Sequence, residues 1–259
     1  MIRSFVVLLF AHVLADFVMQ TGGMVAHKRR VRVFGAHIVI VALTAAVALA
    51  ASGAVSWMTV GLVTLAHAVI DAIKIGSSGL IRRRSDFAAL EIFAIDQAAH
   101  LVCLAGIAIA LPTAFIDGGW PRLLAPGTLT TVVSAVSVVT GFIVATRVGA
   151  LLIGLLMQGL SGLPASSEAS VVMPADDEPA HRLRAGVWIG WLERVLVFVF
   201  VLLGQFGAIG FVIAAKSVLR FEYARKVEQS ELVIIGTLAS FGWAILVALA
   251  TRAALSGLA

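Results

Sequence analysis

The chain is poor in charge and in cysteine. Only 13% of its 259 residues are Asp, Glu, Lys or Arg, too few to clothe a soluble domain of this size. The single cysteine, Cys103, excludes an internal disulfide, and one thiol in an apolar stretch reads as a small filler. No glycine-rich phosphate loop, CxxC pair or HExxH helix occurs, so the motif-borne nucleotide, dithiol and metalloprotease chemistries have no foothold. The net charge of +5 is scattered among apolar runs rather than gathered into a patch, which argues against nucleic-acid binding.

Apolar residues are what the chain has in abundance. It is 61% hydrophobic, with a mean hydropathy of +1.06, which predicts an all-α, polytopic transmembrane helix bundle. A spanning helix takes about 20 mostly apolar residues, and seven stretches qualify: 2–20, 36–52, 56–75, 88–111, 128–157, 186–204 and 231–251. A shorter one at 205–220, broken by Gly204, Gly207 and Gly210, is an eighth that spans or re-enters. The first stretch has the look of a secretory signal, with Arg3 ahead of an apolar run, but cleavage would sacrifice His12 and Asp16, so a retained helix is expected.

Loop charges set the orientation. Lys28, Arg29, Arg30 and Arg32 come after the first helix, Arg82 to Arg84 after the third, Arg182 and Arg184 precede the sixth, and Arg220, Arg225 and Lys226 precede the last. Placing these on the cytoplasmic side gives an N-out, C-out chain of seven to eight segments in the bacterial cytoplasmic (inner) membrane. Its expected domains are a four-helix His/Asp domain over 1–111, a loop and fifth helix over 112–160, a proline- and serine-rich cytoplasmic linker over 161–185, and C-terminal membrane helices over 186–259.

Within those apolar helices lie three His/Asp pairs at four-residue spacing: His12/Asp16, His67/Asp71 and Asp96/His100. Ionisable groups inside a membrane are costly and mark functional sites. Four-residue spacing puts each pair on one helix face. The pair on the outward-running helix is reversed in order, so all three aspartates fall on the cytoplasmic side of their histidines. His37 begins the second helix at the same level. Imidazole nitrogen and carboxylate oxygen suit Zn²⁺, Mn²⁺ or Fe²⁺, and a catalytic ion of this kind activates water. His12, Asp16, His37, His67, Asp71, Asp96 and His100 are the expected ligands of a divalent metal, zinc first, with manganese and iron as alternatives. Lys74, Gln20 and Gln97 are the expected catalytic or substrate-positioning groups. The competing reading is three internal hydrogen-bonded pairs that fix helix packing. The strings LFAHVLAD and TLAHAVID, ending at Asp16 and Asp71, hint at a repeated helical hairpin.

The string HVLADFVMQ with Lys28 and His37 downstream, then HAVIDAIK, then DQAAH resembles a bacterial membrane family catalogued as domain of unknown function 3307. The stretches WIGWLERVL, IGFVIAAKSVLRFE and IIGTLASFGWA resemble the region C-terminal to that domain in longer members. The polar pattern is similar, more distantly, to inner-membrane metal-dependent hydrolases, which implies a metal-dependent hydrolase here. The chain lacks the proline-aspartate and aspartate-histidine motifs of that group.

The C-terminal half adds Glu193 and Arg194 in an apolar helix, with Lys216 and Arg220 one turn apart and Glu222 close behind. They are expected to pair at one level and to receive a phosphate or carboxylate headgroup, or else to snorkel to the interface. His27 and His181 are expected to be solvated. The residues thus point to a membrane-embedded metal-dependent hydrolase acting on a membrane lipid or amphipathic substrate. An ion- or proton-coupled transporter or channel would use the same groups, and a non-catalytic scaffold would keep them for assembly.

Overall fold

In a computed structural model of the protein, residues 1–81, 85–161, 178–221 and 227–258 are described. Every described element is a helix. Arg82 to Arg84, residues 162–177 of the expected linker, and Glu222, Arg225 and Lys226 lie outside the described residues, as do the side chains of His181, Arg182, Arg184 and Arg220.

Among the described residues, six helical stretches are long and apolar enough to cross a membrane: Ile2–Met19, Val31–Leu49, Ala54–Ser77, Ala88–Ala110, Pro126–Ser161 and Ile234–Leu258. They are built from Ala, Val, Leu and Ile, and a helix satisfies its backbone hydrogen bonds internally, as a bilayer requires. Their sidedness is the reverse of a soluble helix. On the helix Ala54–Ile81, Leu65, Val69 and Ile73 are exposed while His67 and Asp71 are buried. Apolar residues outside and polar ones inside fit lipid as the surrounding solvent.

The chain divides into two compact units, one of Met1–Thr140 with Ala253–Ala259, the other of Gly141–Arg252. The first unit opens with α1 (Ile2–Leu14), which runs on through a π-helical turn, Ala15–Met19. A short α2 (Gly22–Ala26) comes next, its Thr21 hydroxyl accepting the Met24 N–H at 3.3 Å. Then come α3 (Val31–Leu49), α4 (Ala54–Ile81), α5 (Ala88–Ala110) and a single turn, α6 (Trp120–Leu123). The next helix, α7 (Pro126–Ile143), continues through a π turn, Val144–Val148, into α8 (Gly149–Ser161). The first unit's apolar core gathers Val6, Val7 and Leu8 of α1, Leu49 of α3, Val63 of α4 and Leu129 of α7.

Close backbone approaches lock one end of this unit. Ala50 takes a left-handed conformation (φ 44°) and ends α3, and its carbonyl accepts the Gly119 N–H at 2.8 Å. Asp117 Oδ2 accepts the Ser56 N–H at 2.9 Å at the start of α4. A Cβ at Gly118 would sit 1.9 Å from the Leu49 carbonyl oxygen, and one at Gly53 2.2 Å from the Asp117 carboxylate, so only glycine fits either place. The Ser4 hydroxyl, donating to the Pro112 carbonyl at 3.1 Å and accepting from the Phe115 N–H at 3.3 Å, ties α1 to the same loop.

The second unit, which begins at Gly141 near the end of α7, holds the second π turn, α8, α9 (Glu178–Leu202), α10 (Phe206–Phe221) and most of α11 (Val227–Leu258). Gly204, at φ 73°, makes the turn into α10. With 16 residues, α10 is about 24 Å long, shorter than a hydrocarbon core of about 30 Å. The Trp243 indole N–H donates to the Val144 carbonyl at 3.0 Å, inside the second π turn, satisfying a group in the disturbed ladder.

Candidate metal centre

Four helices of the first unit each bring polar groups to one place. His12 lies in the last α-helical turn of α1, and Asp16 in the adjoining π turn. Such turns take one extra residue into the helix and recur at functional sites. His37 comes from α3, His67 and Asp71 from the middle of α4, and Asp96, Gln97 and His100 from α5. None of the four histidines, nor Asp71 or Asp96, is more than 5% exposed.

The tightest grouping is Asp16, His37 and His67. Their ligand atoms form a triangle, with His37 Nε2 and His67 Nε2 3.0 Å apart and Asp16 Oδ1 3.4 Å from each. Asp71 Oδ2 is also 3.4 Å from both of these nitrogens, so a second triangle shares the His–His edge. Around a tetrahedral ion with bonds of about 2.0–2.1 Å, ligand atoms lie about 3.3–3.4 Å apart. The donor set is that of a borderline cation, two imidazoles with carboxylates. The 3.0 Å His37–His67 contact is a hydrogen bond between the two rings, and an ion at this place would take the position of its proton.

The neighbouring atoms extend the set. His12, His67 and His100 present ligand atoms within 4.8 Å of one another, as do Asp71, Asp96 and His100. The His100 Nδ1–H donates to the Asp96 carbonyl at 2.9 Å, which fixes the tautomer and leaves the Nε2 lone pair, buried and without a hydrogen-bond partner. The same logic holds for His12, whose Nε2 lies 3.3 Å from the Gln97 amide oxygen and so donates, leaving a buried Nδ1 with no hydrogen-bond partner. Fixing one ring nitrogen to free the other is how metal-binding histidines are oriented. Beside these rings is a cavity of about 10 Å³, lined by His12, His67, His100, Cys103 and apolar residues of the four helices. It is about the size of one water, and Cys103 helps to wall it.

Two lysines cap the carboxylates. Lys28 Nζ is 2.8 Å from Asp71 Oδ2, and Lys74 Nζ 3.0 Å from Asp96 Oδ2. The Gln97 amide N–H also donates to Asp96 Oδ2 at 3.0 Å. Lys74 and Gln97, expected as catalytic groups, therefore sit on Asp96. Gln20 ends the first π turn, with its amide nitrogen buried and lacking a hydrogen-bond partner.

By its local pattern Lys28 is a loop cation, singled out otherwise only by the string that carries the family resemblance. Its long stem carries the ammonium from the connection after α2 to the carboxylate of Asp71 on α4, and nothing in the local pattern signals that reach. His27, the histidine beside it, is exposed and bonds through Nδ1 to the Gly23 carbonyl at 2.9 Å.

The C-terminal constellation belongs to the second unit. Lys216 pairs with Glu193 and lies 5.4 Å from the centre of the Phe241 ring. Arg194 is buried and donates to the Ser240 hydroxyl at 3.2 Å. The side chain of Arg220 lies outside those described.

Residues 4–117 match the model of a family described as a protein of unknown function, DUF3307. The match runs from the start of α1 to Asp117 and contains every ligand of the candidate centre. No curated protein and no solved structure matches the chain.

Proposed function

We propose, from the ligands gathered inside a region that matches a family of unknown function, that this protein is a membrane-embedded metal-dependent hydrolase. The Asp16–His37–His67 triangle carries the reading, because its edges of 3.0 to 3.4 Å suit one tetrahedral ion. The metal is a borderline divalent cation, zinc before manganese or iron, given the mixed nitrogen and oxygen donors. By the loop charges the centre sits in the cytoplasmic half of the bacterial inner membrane, where an amphipathic substrate presents its polar end.

When bound, the ion supplies Lewis acidity to a water or a substrate oxygen. The residues do the rest. Asp16, His37 and His67 hold the ion, with Asp71 at the shared edge. His12 and His100 offer oriented lone pairs on the adjoining side, suited to accept a proton from water entering beside them. Gln97 keeps His12 and Asp96 in register, and the apolar walls from Val41, Val63 and Leu104 restrict water.

Elemental analysis of protein purified without chelator tests the reading. Stoichiometric transition metal is expected in the wild type, with loss in H67A and D16A and retention in H27A, whose side chain is exposed. A metal-free wild type overturns the centre. Metal-dependent ion flux in proteoliposomes without hydrolysis of any lipid or phosphoester would overturn the hydrolase and move the same residues to transport.

A further inference from the structure

We propose that Lys28 and Lys74 form an anion clamp over the centre, and that its substrate presents a phosphoryl group, either free or as a lipid headgroup. The proposal rests on the metal-centre reading above and names the substrate class that the reading leaves open.

The charge count carries the first step. Among the described residues, the centre holds three carboxylates, Asp16, Asp71 and Asp96, and two ammonium groups paired with them. The histidines must be neutral to act as ligands. Counted with neutral histidines, the three carboxylates and two ammonium groups sum to one negative charge, and a divalent ion makes the loaded centre positive by one. An unbalanced charge inside an apolar bundle is costly, so the loaded centre favours an anion.

Geometry narrows that anion. Asp71 and Asp96 present atoms within 4.8 Å of one another, and each carries one of the lysines on its Oδ2. The two ammonium groups thus flank adjoining carboxylates, each one carboxylate removed from the ligand set. They are also its most accessible members, with side chains 13% and 22% exposed against 1% and 3% for the aspartates they hold. In each pair the lysine is thus the partner that a ligand reaches more readily. Lys28 lies against Asp71 as an ion pair at 2.8 Å, and its ammonium carries three donors. Engaging two ammonium groups and an ion from different directions is best matched by three acceptor oxygens spread about one atom. A phosphoryl group has them, whereas a carboxylate has two in one plane.

Isothermal titration of the full-length, zinc-loaded protein with inorganic phosphate tests the clamp, with acetate as the comparison anion. Phosphate is expected to bind at least tenfold more tightly than acetate. K28M and K74M should each weaken phosphate at least tenfold with metal content unchanged, K28R and K74R should retain most of it, and R29Q, at an exposed neighbour, should match the wild type. The arginine variants separate loss of the charge from loss of the fold. Phosphatidate in nanodiscs that displaces phosphate marks a lipid headgroup as the source, and failure to displace it marks a free phosphoester; both support the clamp. Phosphate binding no tighter than acetate, or unaltered in both methionine variants, overturns it. Metal is measured on the same samples. A metal-free wild type strikes the centre, whereas a loaded protein indifferent to phosphate strikes only the clamp.

Discussion

Gln97 shows how the centre is held at the level of single residues. Its amide accepts from the His12 ring and donates to Asp96, at 3.3 and 3.0 Å, so one side chain sets a tautomer on α1 and orients a carboxylate on α5. Removing such a partner usually weakens metal about 10- to 100-fold. Q97A is expected to lose metal affinity in that range, by competition with a chromophoric chelator, while keeping its helix content. At this scale the sequence was informative wherever a polar residue stood inside an apolar helix. The three His/Asp pairs and His37 stand out because membrane burial of such groups is expensive. Lys28 does not, because a loop lysine that reaches inward has the same local sequence as one that only marks topology.

Among the helices, hydropathy located the spans and capping moved their ends. The second span was expected from residue 36, but α3 starts at Val31, since Arg32 and Phe34 are compatible with a helical turn outside the apolar run. Its other end comes at Leu49, because Ala50 turns left-handed. The π turns were not legible. An extra residue in a helix leaves no mark in composition, and Asp16 sits in one of them. The loop that closes the first unit was equally hidden, because Gly53 and Gly118 look like ordinary loop glycines until the approach of Asp117 and Leu49 is seen. G118A is expected to shift the loop and destabilise the protein by about 1–3 kcal/mol, read as a lower melting temperature in detergent. G127A, where a Cβ meets open space, is the matched control.

For the molecule as a whole, metal and stability should be linked. An ion that binds the folded chain and not the unfolded one stabilises it by about 2.7 kcal/mol at a hundredfold excess over its Kd. In a chain of this length that amounts to about 5–10 °C in melting temperature. Stripping the metal with a strong chelator should lower Tm by this amount, and zinc should restore it. H67A, unable to load, should show no change with either. The division of the chain into two units was not legible. The boundary falls between Thr140 and Gly141, inside an apolar helical stretch, and residues 253–259 belong with the first unit; an apolar helix gives no hint of which neighbour it will join.

That last return has a consequence for synthesis. Leu258 is buried in the core that includes Val6 and Leu8, and a Cβ on Gly257 would come within 2.5 Å of Ile2. All the candidate metal ligands, by contrast, lie between His12 and His100. As the chain leaves the ribosome, the candidate ligands are therefore made well before the last residues of this apolar core. An ion taken up at this stage would be held while Leu258 has still to join the core of Val6 and Leu8.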